Sequence, residues 1–345
     1  MNPYDFVRID LKQLPKLRPY APHDRFSGLN GHFEGEIELL TPTYIKHSGE
    51  RQLKNIAMKF AQSGGNPILP GSSLKGLFRS VVETVGGCWW WLCNNRALPG
   101  GFAKPERNAD LNKLDAACRL FGFLAGNKNY LGNVGFEDAV CVSQINHPPI
   151  YTPIHDSPKP RHTAWYAPNN QIAGRKFYFH HNSDDTGAVV TLPDQRMTRD
   201  GGFYNSRISP LGAGSRFTFR GHFENVAQDD LNLLLYALVL EPAMRHKLGF
   251  AKAAGLGSIA VKLTRLNLLN PAERYTQGGG GFAVMEGGAL ATYLQQNTLL
   301  YAGNISSQTL NDLRRIWAWP AVHTLRYPGQ DWFKANPQVP IVETP

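Results

Sequence analysis

Cysteine is scarce in this chain, four in 345 residues, which excludes a disulfide-stapled scaffold and makes a reducing, cytoplasmic setting the expectation. No run of about 18 apolar residues occurs, so no membrane span is expected. The start, Met1-Asn2-Pro3-Tyr4-Asp5-Phe6, does not read as a signal peptide. CxxC pairs, a serine–histidine–aspartate order and a paired-carboxylate signature are all missing, which removes the best-spaced metal and hydrolase patterns. So are internal repeats and long low-complexity tracts. Acid is in short supply as well: 27 Asp and Glu stand against 36 Lys and Arg, a formal charge of +9. That excess favours a polyanionic partner wherever the cations cluster. Apolar residues are plentiful, 42%, enough for a sizeable core in one large domain or two smaller ones.

Periodicity orders the elements. Phe33, Gly35, Ile37 and Leu39 alternate with Glu34, Glu36 and Glu38, a half-buried strand that Thr41-Pro42 ends or bends. Residues 46–66 are polar and read as a loop or a short insertion. Leu74, Leu77, Phe78, Val81, Val82 and Val85 mark one face of a helix that Gly86-Gly87 can end. Leu114 to Leu124 reads as a short helical or turn segment and Val134 to Val142 as a strand. Phe217, Phe219, Gly221 and Phe223 alternate with polar residues. Asp229-Asp230 can cap a helix carrying Leu231, Leu234, Leu235 and Leu238, and Ser258 to Leu266 is a further strand. The order strand, helix, strand, long excursion, strand, helix, strand is the split βαβ order with a large insertion. The excursion, about 143–210, is basic and proline-rich, and a loop of that length is functional or disordered. Leu310, Leu313 and Ile316 predict one more helix in the tail.

The densest chemistry lies in Pro70-Gly71-Ser72-Ser73-Leu74-Lys75-Gly76-Leu77-Phe78-Arg79. Ser72 or Ser73 can cap the helix; Lys75 and Arg79, four apart, share a face away from the core. A helix start with nearby cations suits a phosphate. Gly76 inside the helix costs about 1 kcal/mol against alanine, and close approach by another backbone is one reason to keep it. The plain alternative is a capped core helix with two solvated cations.

Gly249 to Gly257 is glycine-rich, but it follows a helix and precedes a strand, the reverse of a dinucleotide or P-loop fingerprint. It suits backbone that passes close to a sugar-phosphate chain, with Lys252 as ion partner, or simply a flexible turn. No RNA recognition motif signature is present, so RNA binding would use loops and helix ends rather than a ring platform on the sheet. Cys88, Cys93 and Cys118, with a histidine or Asp115, can form a structural zinc site; buried free thiols are the other reading. His23 and His47 are the first histidines to consider as acid or base. Three adjacent indoles, Trp89-Trp90-Trp91, cannot all face one core, so either one meets a partner or they plug the loop that follows.

Together these blocks resemble the RAMP superfamily of CRISPR-associated proteins, in the branch that forms effector backbones. Gly35–Ile45 resembles the family's first strand. Ile68-Leu69-Pro70-Gly71-Ser72-Ser73-Leu74-Lys75-Gly76 is similar to the "IPGSSLKG" motif of type III subunits. Leu120-Phe121-Gly122 with Gly135-Phe136-Glu137-Asp138-Ala139 resembles its "LFG" step and following strand, and Gly249–Val261 its glycine loop and last strand. Pro3-Tyr4-Asp5-Phe6-Val7, His23-Asp24-Arg25 and Gly174-Arg175-Lys176-Phe177-Tyr178 resemble proteins of type III-D and related systems.

The resemblance implies an α+β protein: a modified ferredoxin-like (RRM-like) palm with a large inserted thumb and an irregular C-terminal extension. Its parts would be an arm (1–30), the palm (31–142 and 211–270), a basic thumb (143–210) and the extension (271–345). It implies a guide-binding backbone subunit that presents bases to target RNA. The implied partners are CRISPR RNA, target RNA, further copies of itself or related RAMP subunits, and other effector subunits including a nuclease. By carry-over, Ser72, Ser73, Lys75 and Arg79 would hold guide phosphates. Lys252, Gly255 and Gly257 would line the guide's path, and the thumb, with Arg196 and Arg199, would separate its bases. Subunits of the family that cut target RNA carry an aspartate in the loop after the first strand. Residues 43–67 contain none, with Glu50 and His47 the nearest substitutes, so a non-cutting subunit is expected. An endoribonuclease, cleaving target RNA or processing the guide, is the alternative.

Overall fold

Alternation of apolar and polar side chains builds the central sheet. The computed structural model describes residues 3–47, 49–90, 98–104, 110–154, 163–181, 189, 191–276, 280–321, 332, 335 and 336. Two long strands, Leu29–Leu39 and Arg216–Val226, pair antiparallel along their length. The strand Ser258–Leu269 pairs with the free side of Leu29–Leu39. Ala139–Ser143 and Val134–Phe136 pair with Arg216–Val226. Asn66–Leu69 continues beyond Ala139–Ser143, and Phe282–Glu286 flanks Ser258–Leu269. The result is a nine-stranded sheet in an α+β fold.

One face of the sheet carries Phe33, Ile37, Leu39, Phe217, Phe219, Phe223, Ile259 and Leu266, all buried. The other is polar: register sets Glu34 opposite Arg220, Glu38 opposite Arg216, and Glu36 opposite Lys262, cross-strand pairs of opposite charge. No Phe, Tyr or Trp of the three central strands points out of that polar face.

Two helices cover the apolar face. Gly71–Val85, the motif helix, buries Leu74, Phe78, Val81, Val82 and Val85, and Phe78 stacks on Phe136 with ring centroids 5.2 Å apart. Gln228–Val239 buries residues all round, because Gly287–Ala302, a helix of the C-terminal extension, packs on its far side. Asp229 and Asp230 sit in its first turn but do not cap it; the N-cap is Ala227. Asp230 instead forms a buried bidentate pair with Arg119, 2.7 Å for each bond, tying in the short helix Ala116–Phe121.

Described segments toward both ends of the chain form regular elements. In the segment expected as an arm, Tyr4–Val7 forms a strand paired with Arg175–Tyr178 of the insertion. Helix Ser307–Ile316, capped by Ser306, packs on it; Arg8 makes a bidentate pair with Asp312, and Arg315 meets Asp5. The insertion also contributes Ile150–Tyr151 paired with Arg207–Ile208. Among the described residues no helix is long and apolar enough to cross a membrane.

Candidate nucleic-acid interface

The motif helix starts at Gly71 with Pro70 as N-cap, so Ser72 and Ser73 lie inside its first turn and neither caps it. Asp138 caps from outside: the Gly71 N–H donates to its Oδ1 at 2.7 Å. A carboxylate thus takes the first N–H of that helix end and places a negative charge at its positive pole. The strand expected over 134–142 is broken at Glu137-Asp138 into Val134–Phe136 and Ala139–Ser143, which brings this carboxylate to the helix.

Arg79 is committed within the fold. Its Nε donates to Glu83 at 2.8 Å and its Nη1 to the Gly122 carbonyl at 2.9 Å. Arg175 meets the other Glu83 oxygen at 2.8 Å and lies over the Trp90 ring at 4.5 Å. Two guanidiniums thus bracket one carboxylate whose side chain is 1% exposed. Lys75 sits beside Arg79, half-buried, with its pKa lowered by burial and then by Arg79.

A different stripe of the motif helix faces open space. Ser73, Gly76 and Ser80 line a cavity of about 590 Å³ whose other walls are Arg175–Tyr178, Lys46 and the glycine loop. Apart from its chain neighbours and the adjoining backbone of its own helix, no atom lies within 4 Å of where a Cβ of Gly76 would be. The cavity's cations are Lys46, Arg175, Lys176, Lys247 and Lys252. Lys176 holds its ammonium 3.6 Å from the Tyr4 ring centre and 5.1 Å from that of Tyr178, and burial pushes its pKa down to about 8. Lys247 donates to the Gly255 and Leu256 carbonyls at 3.2 and 2.9 Å, with burial pushing it to about 7. Lys252 donates to the Gly249 carbonyl and is lowered by burial. Desolvated cations around one cavity raise the electrostatic reward for an anion that enters it.

The glycines of the loop serve the loop itself. Gly255 and Gly257 have φ of 97° and 83°, and a Cβ on Gly257 would stand 1.9 Å from the Leu248 carbonyl oxygen. Arg196 and Arg199 are exposed on a separate loop and do not line the cavity; Arg196 pairs with Asp194 at 3.0 Å.

Cys88 and Cys118 are buried free thiols, and burial raises the Cys88 pKa well above its usual value. Cys93 and Trp91 lie outside the described residues. Asp115 is occupied as a helix cap, accepting from the Cys118 and Trp89 N–H groups at 2.7 Å each. Among the described residues no three His, Cys, Asp or Glu side chains cluster as metal ligands. Both Glu50 oxygens accept from the Lys59 N–H, His47 Nδ1 accepts from the Gln62 N–H, and His23 Nε2 lies 2.9 Å from the Leu131 carbonyl.

Sequence reasoning singled out the motif helix and Lys252 but passed over Lys46 and Phe250 as site residues. It placed Lys176 in a thumb rather than beside the helix. The available signal was the aromatic run Phe177-Tyr178-Phe179; the strand it belongs to, Arg175–Tyr178, pairs near the N-terminus. The family model of the RAMP superfamily matches residues 36–260, a span that holds every cation of the cavity. No curated protein matches the chain.

Proposed function

The chain belongs to the RAMP superfamily of CRISPR-associated, RNA-binding proteins, and from that premise we propose that it is a guide-binding backbone subunit of a type III or related effector complex. The observation that carries this reading is Gly76. It is a costly residue for a helix interior, nothing in the fold occupies the space it leaves, and that space opens on a cavity ringed by lysines. A sugar-phosphate strand needs both a close approach to backbone and cations without base-specific contacts.

The palm reading is supported by sheet order. The four principal strands run Ser258–Leu269, Leu29–Leu39, Arg216–Val226, Ala139–Ser143, that is fourth, first, third and second along the chain, and each half contributes one long helix to the apolar face. The exposed loop carrying Arg196 and Arg199 fits a thumb that acts apart from the palm. A binding role rather than cleavage is supported by Glu50 and His47, whose polar atoms hold their own loop together.

Co-expression with a CRISPR array, purification and sequencing of the bound RNA test this. Guide RNA with periodic protection, released steeply as salt rises, is expected. Recovery of no RNA or of random RNA would overturn the backbone role.

A further inference from the structure

Phe250 is the exposed ring of the cavity. Phe177 packs on Trp317 at 4.7 Å between ring centres, Trp317 is itself buried, and Tyr178 lies against Lys176. Phe250 remains 46% exposed beside Lys46 and Lys252. It is held there by an unusual turn. Gly249 and Ala251 on either side have φ of 89° and 55°, and the Phe250 N–H donates to the Tyr44 carbonyl at 2.9 Å. A left-handed conformation is unfavourable for alanine, so the fold accepts a local cost to leave an apolar ring in water among cations.

Cations alone would hold any polyanion. A ring adds something only for a ligand that carries flat apolar faces, and every nucleobase has one, whatever the sequence. We infer that Phe250 stacks on one base of the bound RNA while Lys46 and Lys252 meet the adjoining phosphates. The cavity thereby selects a base-bearing strand over other polyanions without reading which base it holds. This inference rests on the RNA-binding reading above.

The test compares the full-length protein with its Phe250→Ala, Phe250→Tyr and Lys46→Glu variants. Each is titrated, over a range of salt, with a short single-stranded RNA and with an abasic sugar-phosphate chain of equal length. Phe250→Ala is expected to lose about tenfold or more in affinity for RNA and nothing for the abasic chain, with its salt slope unchanged. Phe250→Tyr keeps the affinity. Lys46→Glu weakens both ligands and flattens the salt slope. If Phe250→Ala binds RNA as the parent does, or loses equally on both chains, stacking is wrong while RNA binding stands. A parent protein that binds no RNA would overturn the underlying reading as well.

Discussion

Gly76 separates folding from binding at the scale of a single residue. Because no atom beyond the adjoining chain of its own helix approaches the missing Cβ, Gly76→Ala is expected to stabilise the helix by up to about 1 kcal/mol. A bulky Gly76→Phe fits the fold for the same reason but fills the cavity. Its RNA affinity should drop about tenfold or more, the equivalent of one charge-assisted contact. Thermal melts and filter binding on the two variants check this; equal RNA affinity for both would mean that no ligand passes there. Phe250 and Lys46 belong to the same scale: each is exposed and lines the cavity, and the Phe250 ring also meets buried Tyr44 edge-on at 6.2 Å between centres.

The motif helix as an element depends on Glu83 more than on its first turn. Arg79 and Arg175 bracket that carboxylate, which joins the helix to the Arg175–Tyr178 strand and so shapes one wall of the cavity. Arg79→Glu removes one cation and adds a like charge beside a buried one, an expected loss of about 3–5 kcal/mol. Lys75→Glu, on the same face, is expected to change stability by less than about 1 kcal/mol. Urea unfolding of the two variants distinguishes a structural cation from a free one. Equal, small effects would contradict the bracket. A cation pair spaced i, i+4 gives no hint of this difference, because the partner of Arg79 is on the helix but its purpose lies on another strand.

The whole molecule carries a pH signature from its interior. His246 is buried and pushed down to about 4, and His180 falls well below its ordinary value, chiefly by burial and then through Lys247. Both stay neutral in the fold, while the unfolded chain takes up protons at the ordinary value of 6.5. Their contribution is therefore complete above pH 6.5 and declines as pH falls from there toward 4, by roughly 1 kcal/mol per pH unit for each proton. His246→Gln, which can still donate to the Leu238 carbonyl bonded by Nε2, should show a shallower decline. Denaturation midpoints measured across that window decide it, and an unchanged slope would remove His246 from the account.

Residue periodicity by itself determined the two long strands, the two helices over them and their order. Burial on one side imposes a period of 2 or 3.6 that is written in the local sequence. It also singled out Gly76, because a glycine in a helix interior is a cost visible without any structure. Only the tertiary structure decided which cations face the cavity. Lys46, Lys176 and Lys252 come from three separated segments, and Arg79, which looked like one of them, is turned inward by Glu83 and Gly122. The cap of the motif helix and the partner of Asp230 were hidden for the same reason: Asp138 and Arg119 reach them across 67 and 111 residues of chain. The strand at Tyr4–Val7 and the helix Gly287–Ala302 were missed because both take their stability from distant partners rather than from an apolar pattern of their own.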